Sequence, residues 1–171
     1  ADLLQHKPGR FSLDRCADCG HIFQNPQLTE AGLEFYYRDF YDGLGEQRMG
    51  GTFGGRGAMY EGRARAMLPY DPAPKTWLDV GTGHGHFCAS ARTVLPGTSF
   101  DGLDFTDGVE LAAREGRIDQ AHRGAFPDLA PELTARYDVV STFHYLEHST
   151  DPDRELRAAH EAVRPGGHLL I

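Results

Sequence analysis

A chain of 171 residues has room for one α/β core and a small appendage, which excludes a multidomain machine. Its 17 basic and 25 acidic residues leave a net charge of −8, which disfavours nonspecific attraction to nucleic acid or to an anionic membrane and favours a small-molecule partner. No apolar run reaches the roughly 18 residues needed to span a bilayer, the N-terminus lacks a signal pattern, and three cysteines make no disulfide framework; these point to the cytoplasm.

In chain order, the first segment predicts two short strands, around Arg10–Cys16 and His21–Gln24, flanking the pair Cys16 and Cys19, with a turn at Asn25-Pro26. Thr29 is placed to cap a helix from Glu30 to about Tyr41, because Leu33, Tyr36, Tyr37 and Phe40 recur at helical spacing. Seven glycines between Asp42 and Gly57 predict a mobile loop. A second helix is expected over Ala58–Leu68, and the proline-containing stretch 69–74 then separates a lobe of residues 1–74 from a domain of residues 75–171.

From Thr76 the elements alternate. A buried strand over Thr76–Val80 precedes a helix over Phe87–Leu95, and a strand over Ser99–Leu103 precedes a helix over Asp107–Gly116 with Asp107 and Glu110 as a capping pair. Further strands are predicted over Gln120–Arg123 and Tyr137–Thr142. A last helix opens at Asp151-Pro152 and stops at Pro165-Gly166-Gly167, and His168–Ile171 reads as the start of a strand. Alternation of this kind defines a doubly wound, Rossmann-like, mostly parallel sheet. The missing initial Met and the apolar ending suggest a trimmed chain that lacks the last strands of that sheet.

In such a sheet, ligands bind where strand order reverses, at the carboxyl ends of the strands. The loop there reads Asp79-Val-Gly81-Thr-Gly83-His-Gly85, whose glycines permit a tight turn and close backbone approach to a ligand. A dinucleotide fingerprint would put its third glycine at the position of His86. Asp104 ends the next strand, 23 residues after Gly81, where a carboxylate can accept from both hydroxyls of a ribose.

The Gly-x-Gly-x-Gly loop with its Asp two residues ahead resembles the first motif of class I S-adenosylmethionine-dependent methyltransferases. The likeness extends to Asp104, to Tyr137–His148 with Asp151-Pro152, and to Val163–Ile171. The resemblance implies that Asp79, Gly81, Thr82, Gly83 and Gly85 surround the methionine part of S-adenosylmethionine, that Asp104 holds the ribose and that Phe105 lies against adenine. The backbone of Ala125 and Phe126 would meet the adenine edge; Ala125 stands where the family often has Asp. Thr142, Phe143 and His144 would lie where methyl group and acceptor meet, with His144 or His148 as the base if the acceptor must lose a proton.

Cys16-x-x-Cys19 has the form of half a zinc knuckle, with His6 and His21 the nearby additions to a four-ligand site. With the tyrosines that follow, it resembles a bacterial methyltransferase subgroup of sugar, polysaccharide and natural-product pathways, in which an earlier Cys pair completes a zinc ribbon. That resemblance implies a small-molecule acceptor, a structural zinc, and a lid formed by the tyrosine helix and the glycine loop. Arg63 is placed either to meet the cofactor's carboxylate or to serve as a plain helix-surface charge. His84 and His86 read as variable loop positions rather than metal ligands, and Cys88 as a core residue. Two alternatives remain beside methyl transfer: a nicotinamide-dependent dehydrogenase, and a non-catalytic cofactor-binding or zinc-organised interaction module.

Overall fold

The computed structural model describes residues 7–37 and 55–171. The chain forms two compact units, Ala1–Phe53 and Gly54–Ile171. The boundary therefore falls ahead of the expected one at residue 74. The reason is that helix α2 (Gly57–Arg65) and the turn after it bury Tyr60, Ala64 and Met67 in the same core as Trp77.

In the first unit, strands β1 (Leu13–Arg15) and β2 (Ile22–Gln24) pair antiparallel around the cysteine turn. Gly20 closes that turn at φ +76°, and its N–H donates to the Cys16 carbonyl. Helix α1 (Glu30–Tyr37) starts as expected, with the Thr29 hydroxyl accepting from Gly32 N–H at 3.2 Å. Phe11 meets Tyr36 edge to face at 5.3 Å, and Lys7 Nζ donates to the carbonyl of Phe35. The predicted end of the helix near Tyr41, the glycine loop up to Gly54 and His6 lie outside the described residues.

The second unit is the doubly wound sheet. Strands β3 (Thr76–Val80), β4 (Ser99–Asp104), β5 (Gln120–Arg123), β6 (Tyr137–Ser141) and β7 (Val163–Leu170) lie in the order β5-β4-β3-β6-β7, and every pair is parallel. Helices α3 (His86–Val94), α4 (Gly108–Arg114), α5 (Phe126–Leu129) and α6 (Pro152–Ala162) make the connections. Because β3 sits in the middle and the chain returns to its other side with β6, strand order reverses between those two.

Alternation along the strands sorts the core into two faces. Trp77, Phe100 and Val139 pack with Phe87, Ala91 and Tyr60 on one side; Leu78, Val80, Leu103 and Val140 pack with Phe126, Leu133 and Ala159 on the other. Three aromatic rings on the first face, Trp77, Phe87 and Phe100, lie within 6.5 Å of one another. Among the described residues no helix is long and apolar enough to cross a membrane.

Two expected boundaries differ. Asp107 makes no side-chain cap, because its own backbone is already helical (φ −74°, ψ −10°); Glu110 instead reaches Arg123 at 3.3 Å. The last helix opens on Asp151, whose carboxylate accepts from Arg154 N–H at 3.0 Å, but it ends at Ala162 rather than at Pro165-Gly166-Gly167. Val163 is already extended and pairs with Tyr137, whereas Val139 pairs with His168, so residues 164–167 bulge out within β7.

A buried polar set crosses the second face. Tyr137 donates to Asp101 Oδ2 at 2.8 Å, and His122 Nε2 lies 3.1 Å from the same hydroxyl. Tyr137→Phe leaves the buried Asp101 carboxylate short of a donor and is expected to lower unfolding stability by about 1 to 3 kcal/mol in urea denaturation.

Candidate functional site

The loop after β3 is held by the main chain of β4. Gly81 N–H and Thr82 N–H both donate to the Leu103 carbonyl, at 2.8 and 3.2 Å. Such a reversal takes Gly81, Gly83 and Gly85 to φ values of +73°, +53° and +71°, where L side chains are strained. The three glycines face different surroundings. A Cβ on Gly81 would meet the Tyr145 ring at 2.7 Å, one on Gly85 would meet Ala112 at 3.0 Å and Ile118 at 3.1 Å, and one on Gly83 would meet nothing within 4 Å among the described residues. Gly83 is thus the open point of the cradle.

Asp104 stands beside it. Its Oδ2 accepts from Gly83 N–H at 2.9 Å, and its Oδ1 accepts from the N–H and hydroxyl of Thr106 at 2.9 and 2.8 Å. The carboxylate therefore ties the end of β4 to the glycine loop. Phe105 next to it is 60% exposed, free to lie against a flat ligand. Ala125, after β5, is exposed, while the Phe126 side chain is fully buried among Leu78, Val80 and Leu103; only the Phe126 backbone can face a ligand.

Asp79 is buried beneath the loop, opposite Ser141 in the strand register. The Trp77 indole N–H donates to Ser141 Oγ at 2.9 Å, and the Ser141 hydroxyl donates to Asp79 Oδ1 at 2.6 Å. Burial pushes the Asp79 carboxyl up to about 6; the bonds from Ser141 and Thr82 and the charge of Arg63 offset part of that rise. Cys88, fully buried 3.9 Å from Asp79, is held well above the usual thiol range by burial first and the carboxylate second, as a core thiol would be.

Beyond β6 the chain turns through Thr142, Phe143 and His144, and His144 adopts φ +52°. Thr142 is buried, and its hydroxyl has no hydrogen-bond partner among the described residues. Phe143 meets Phe87 edge to face at 4.9 Å and carries the Arg63 guanidinium over its ring at 4.7 Å. Arg63 Nη2 lies 2.9 Å from His144 Nε2, and His144 Nδ1 lies 3.2 Å from Glu147 Oε1. Burial tends to raise Glu147, but its own backbone N–H and the His144 contact hold it below its ordinary value. Arg63, Thr142, Phe143, His144, Glu147 and Leu170 line a cleft of about 430 Å³ at the carboxyl ends of β6 and β7.

The sites read from the sequence fall out unevenly. Gly81, Thr82, Gly83, Gly85 and Asp104 share one loop system, Asp79 lies below it, and Thr142, Phe143 and His144 line the neighbouring cleft. His148 ends a short 3-10 turn and does not line the cleft. Arg63 belongs to the cleft rather than to a bare helix surface, and Ser141 and Glu147 are additions that the sequence did not single out. His84 and His86 stack at 6.3 Å, and burial together with Arg117 lowers His86. Among the described residues no group of three or more His, Cys, Asp or Glu side chains can hold a metal. Cys16 is drawn below the ordinary thiol range by the N–H groups of Cys19 and Asp18, but the pair supplies only two ligands.

A parallel sheet with a glycine turn and an acid at its switch point defines an α/β domain built for a nucleotide-like cofactor. The chain belongs to the methyltransferase domain family, which matches residues 56–171. The ubiquinone biosynthesis O-methyltransferase of Pseudomonas syringae pv. tomato is 34% identical over 104 residues, covering 58% of this chain and 44% of that protein. The enzyme of the same description from Azotobacter vinelandii is 33% identical over 104 residues, with the same coverage. The chain thus spans less than half the length of these curated relatives. A crystal structure of a SAM-dependent methyltransferase from Archaeoglobus fulgidus superimposes with a TM-score of 0.56 at 20% identity, over 71% of this chain and 54% of that one, a likeness of fold.

Two outcomes follow from this geometry. Gly85→Ala, which crowds α4 and strains the backbone, is expected to lower stability by about 2 to 3 kcal/mol in thermal unfolding, and Gly83→Ala by about 1 kcal/mol. For Asp79, the folded carboxyl titrates above the unfolded one, so its contribution to stability is greatest below about pH 4 and falls as pH rises to about 6. Denaturation across that window should show a loss of roughly 3 kcal/mol, absent in Asp79→Asn.

Proposed function

We propose that the chain binds S-adenosylmethionine and passes its methyl group to an oxygen, nitrogen or carbon nucleophile of a small molecule in the cytoplasm. The observation that carries this reading is the junction of Asp104 with Gly83 N–H beside the open side of the loop, because it sets a carboxylate next to a cradle that no side chain among the described residues fills. Asp104 would accept from the ribose, Phe105 would cover adenine, and the backbone at Ala125 and Phe126 would meet the adenine edge. Three protein donors already occupy Asp104, so a ribose diol has to displace the rotatable hydroxyl of Thr106 from Oδ1.

The buried Asp79 carboxylate and the half-buried Arg63 guanidinium suit the two ends of an amino acid, the ammonium and the carboxylate. The cofactor, when bound, supplies a sulfonium-activated methyl group. The chain's own part is to align the nucleophile in the cleft beside Thr142 and Phe143 and, for a hydroxyl acceptor, to take its proton at His144. The O-methyltransferases among the relatives support an oxygen nucleophile. The cysteine pair supplies only two ligands among the described residues, and zinc carries no part of this reading.

Calorimetric titration with S-adenosylhomocysteine is expected to show one site per chain, with affinity reduced about tenfold or more in Asp104→Asn, which removes a charge-assisted acceptor. A flat titration of the wild-type chain overturns the reading. A cationic ammonium arriving at a carboxyl that titrates near 6 should also expel a proton, so heats measured at pH 6 should vary with the ionisation enthalpy of the buffer, and should not do so in Asp79→Asn.

A further inference from the structure

His144 Nε2, the nitrogen that would receive the acceptor's proton, is already engaged. A guanidinium can only donate, so the 2.9 Å contact with Arg63 makes Nε2 the acceptor and assigns the ring proton to Nδ1. That Nδ1–H then faces Glu147 Oε1 at 3.2 Å. The three side chains form a line, Arg63 to His144 to Glu147, in which the basic lone pair is capped from the helix α2 side. Arg63, for its part, meets no carboxylate among the described residues; it lies over the rings of Phe143 and Tyr60, at 4.7 and 5.9 Å, and spends its one hydrogen bond on a neutral ring nitrogen.

We infer that Arg63 locks His144 by donating into its Nε2 lone pair, and that a carboxylate taken up by the guanidinium releases that lone pair to act as a base. The inference rests on the reading above in that the carboxylate is the cofactor's. A guanidinium grips a carboxylate through either of two forks, each of which uses one of the two Nη2 N–H groups, so a bidentate ligand seated in the fork whose N–H now serves His144 displaces the ring. A carboxylate is also the stronger acceptor, since both partners are then ionised. His144 is held at a left-handed φ of +52°, a conformation that costs about 1 kcal/mol in a residue with a side chain and that local packing must enforce. Thr142 and Phe143 fix the chain on one side of it and the turn through Glu147 on the other, so the ring can lose Arg63 while its Nδ1–H stays anchored.

With the lone pair free, the step balances for a hydroxyl acceptor. The acceptor oxygen forms a bond to the methyl carbon, the carbon–sulfur bond breaks with its electron pair passing to sulfur, and the hydroxyl proton moves to Nε2. The resulting imidazolium is stabilised at Nδ1–H by the Glu147 carboxylate. Arg63 is a positioning residue in this scheme. It ties the availability of the base to the arrival of the methyl donor, so that acceptor alone meets a capped imidazole.

The test reads the imidazole nitrogens directly. In the 15N-labelled full chain at pH 8, long-range proton–nitrogen spectra, with His144 assigned through His144→Gln, should show Nε2 as a hydrogen-bonded acceptor. Addition of S-adenosylhomocysteine should move it to the position of a free ring nitrogen. Arg63→Met keeps the apolar stem over Phe143, and should show that free position without ligand and no further movement with it. Carbethoxylation of His144, followed by mass spectrometry without ligand, should be about fivefold faster in Arg63→Met than in wild type. An unchanged Nε2 signal in Arg63→Met overturns the lock. Binding of S-adenosylhomocysteine by calorimetry with no movement of His144 in the wild-type chain overturns the release and leaves the cofactor reading standing; absence of binding overturns the cofactor reading and the release together. Should Arg63→Met fail to fold, the wild-type titration decides alone.

Discussion

The carboxyl end of the sheet depends on one backbone carbonyl. Leu103 accepts from both Gly81 and Thr82, and this pair of bonds turns the chain out of β3 and over the end of β4 before α3 begins. The residue after Leu103 is Asp104, whose carboxylate receives the third N–H of the same loop, at Gly83. Two strands are thereby locked at their tips, and the gap between β3 and β6 opens beside a rigid edge. Thr82 completes the arrangement from below by resting against Gly102, where any Cβ would meet its methyl group at 2.6 Å.

That part of the molecule was legible in the sequence because its determinants are local. Three glycines at alternate positions announce left-handed backbone, and a carboxylate at the end of the next strand announces what stands beside it. The alternation of strand and helix likewise follows from apolar patterning over short windows. The errors were local too, and have physical reasons. Asp107 resembles a cap until its backbone proves helical, and Pro165-Gly166-Gly167 resembles a helix stop although the strand has already begun at Val163. Glycines accommodate a bulge as well as they end a helix, and sequence alone does not separate the two.

The cleft was less legible because its contacts are distant in the chain. Arg63 and His144 are 81 residues apart, and Trp77, Ser141 and Asp79 are joined only because β3 and β6 are neighbours in register. A buried serine ending the strand Tyr137–Ser141, directly before the expected Thr142, was the available signal for a hydrogen-bond partner. Cleft and loop also differ in kind. The loop is built from main-chain atoms with one carboxylate, whereas the cleft is built from charged and aromatic side chains standing on three separate elements.

This difference governs how the domain can diverge. A loop secured by the carbonyl of Leu103 rests on an atom that every amino acid possesses, so β4 can exchange its apolar side chains without disturbing the turn. The cleft has no such insurance, since its character resides in Arg63, Phe143, His144 and Glu147 themselves. Inheritance would thus preserve the donor side of the domain through drift and leave the opposite side open to rapid retailoring, with the same scaffold serving new chemistry by exchange of a few cleft side chains.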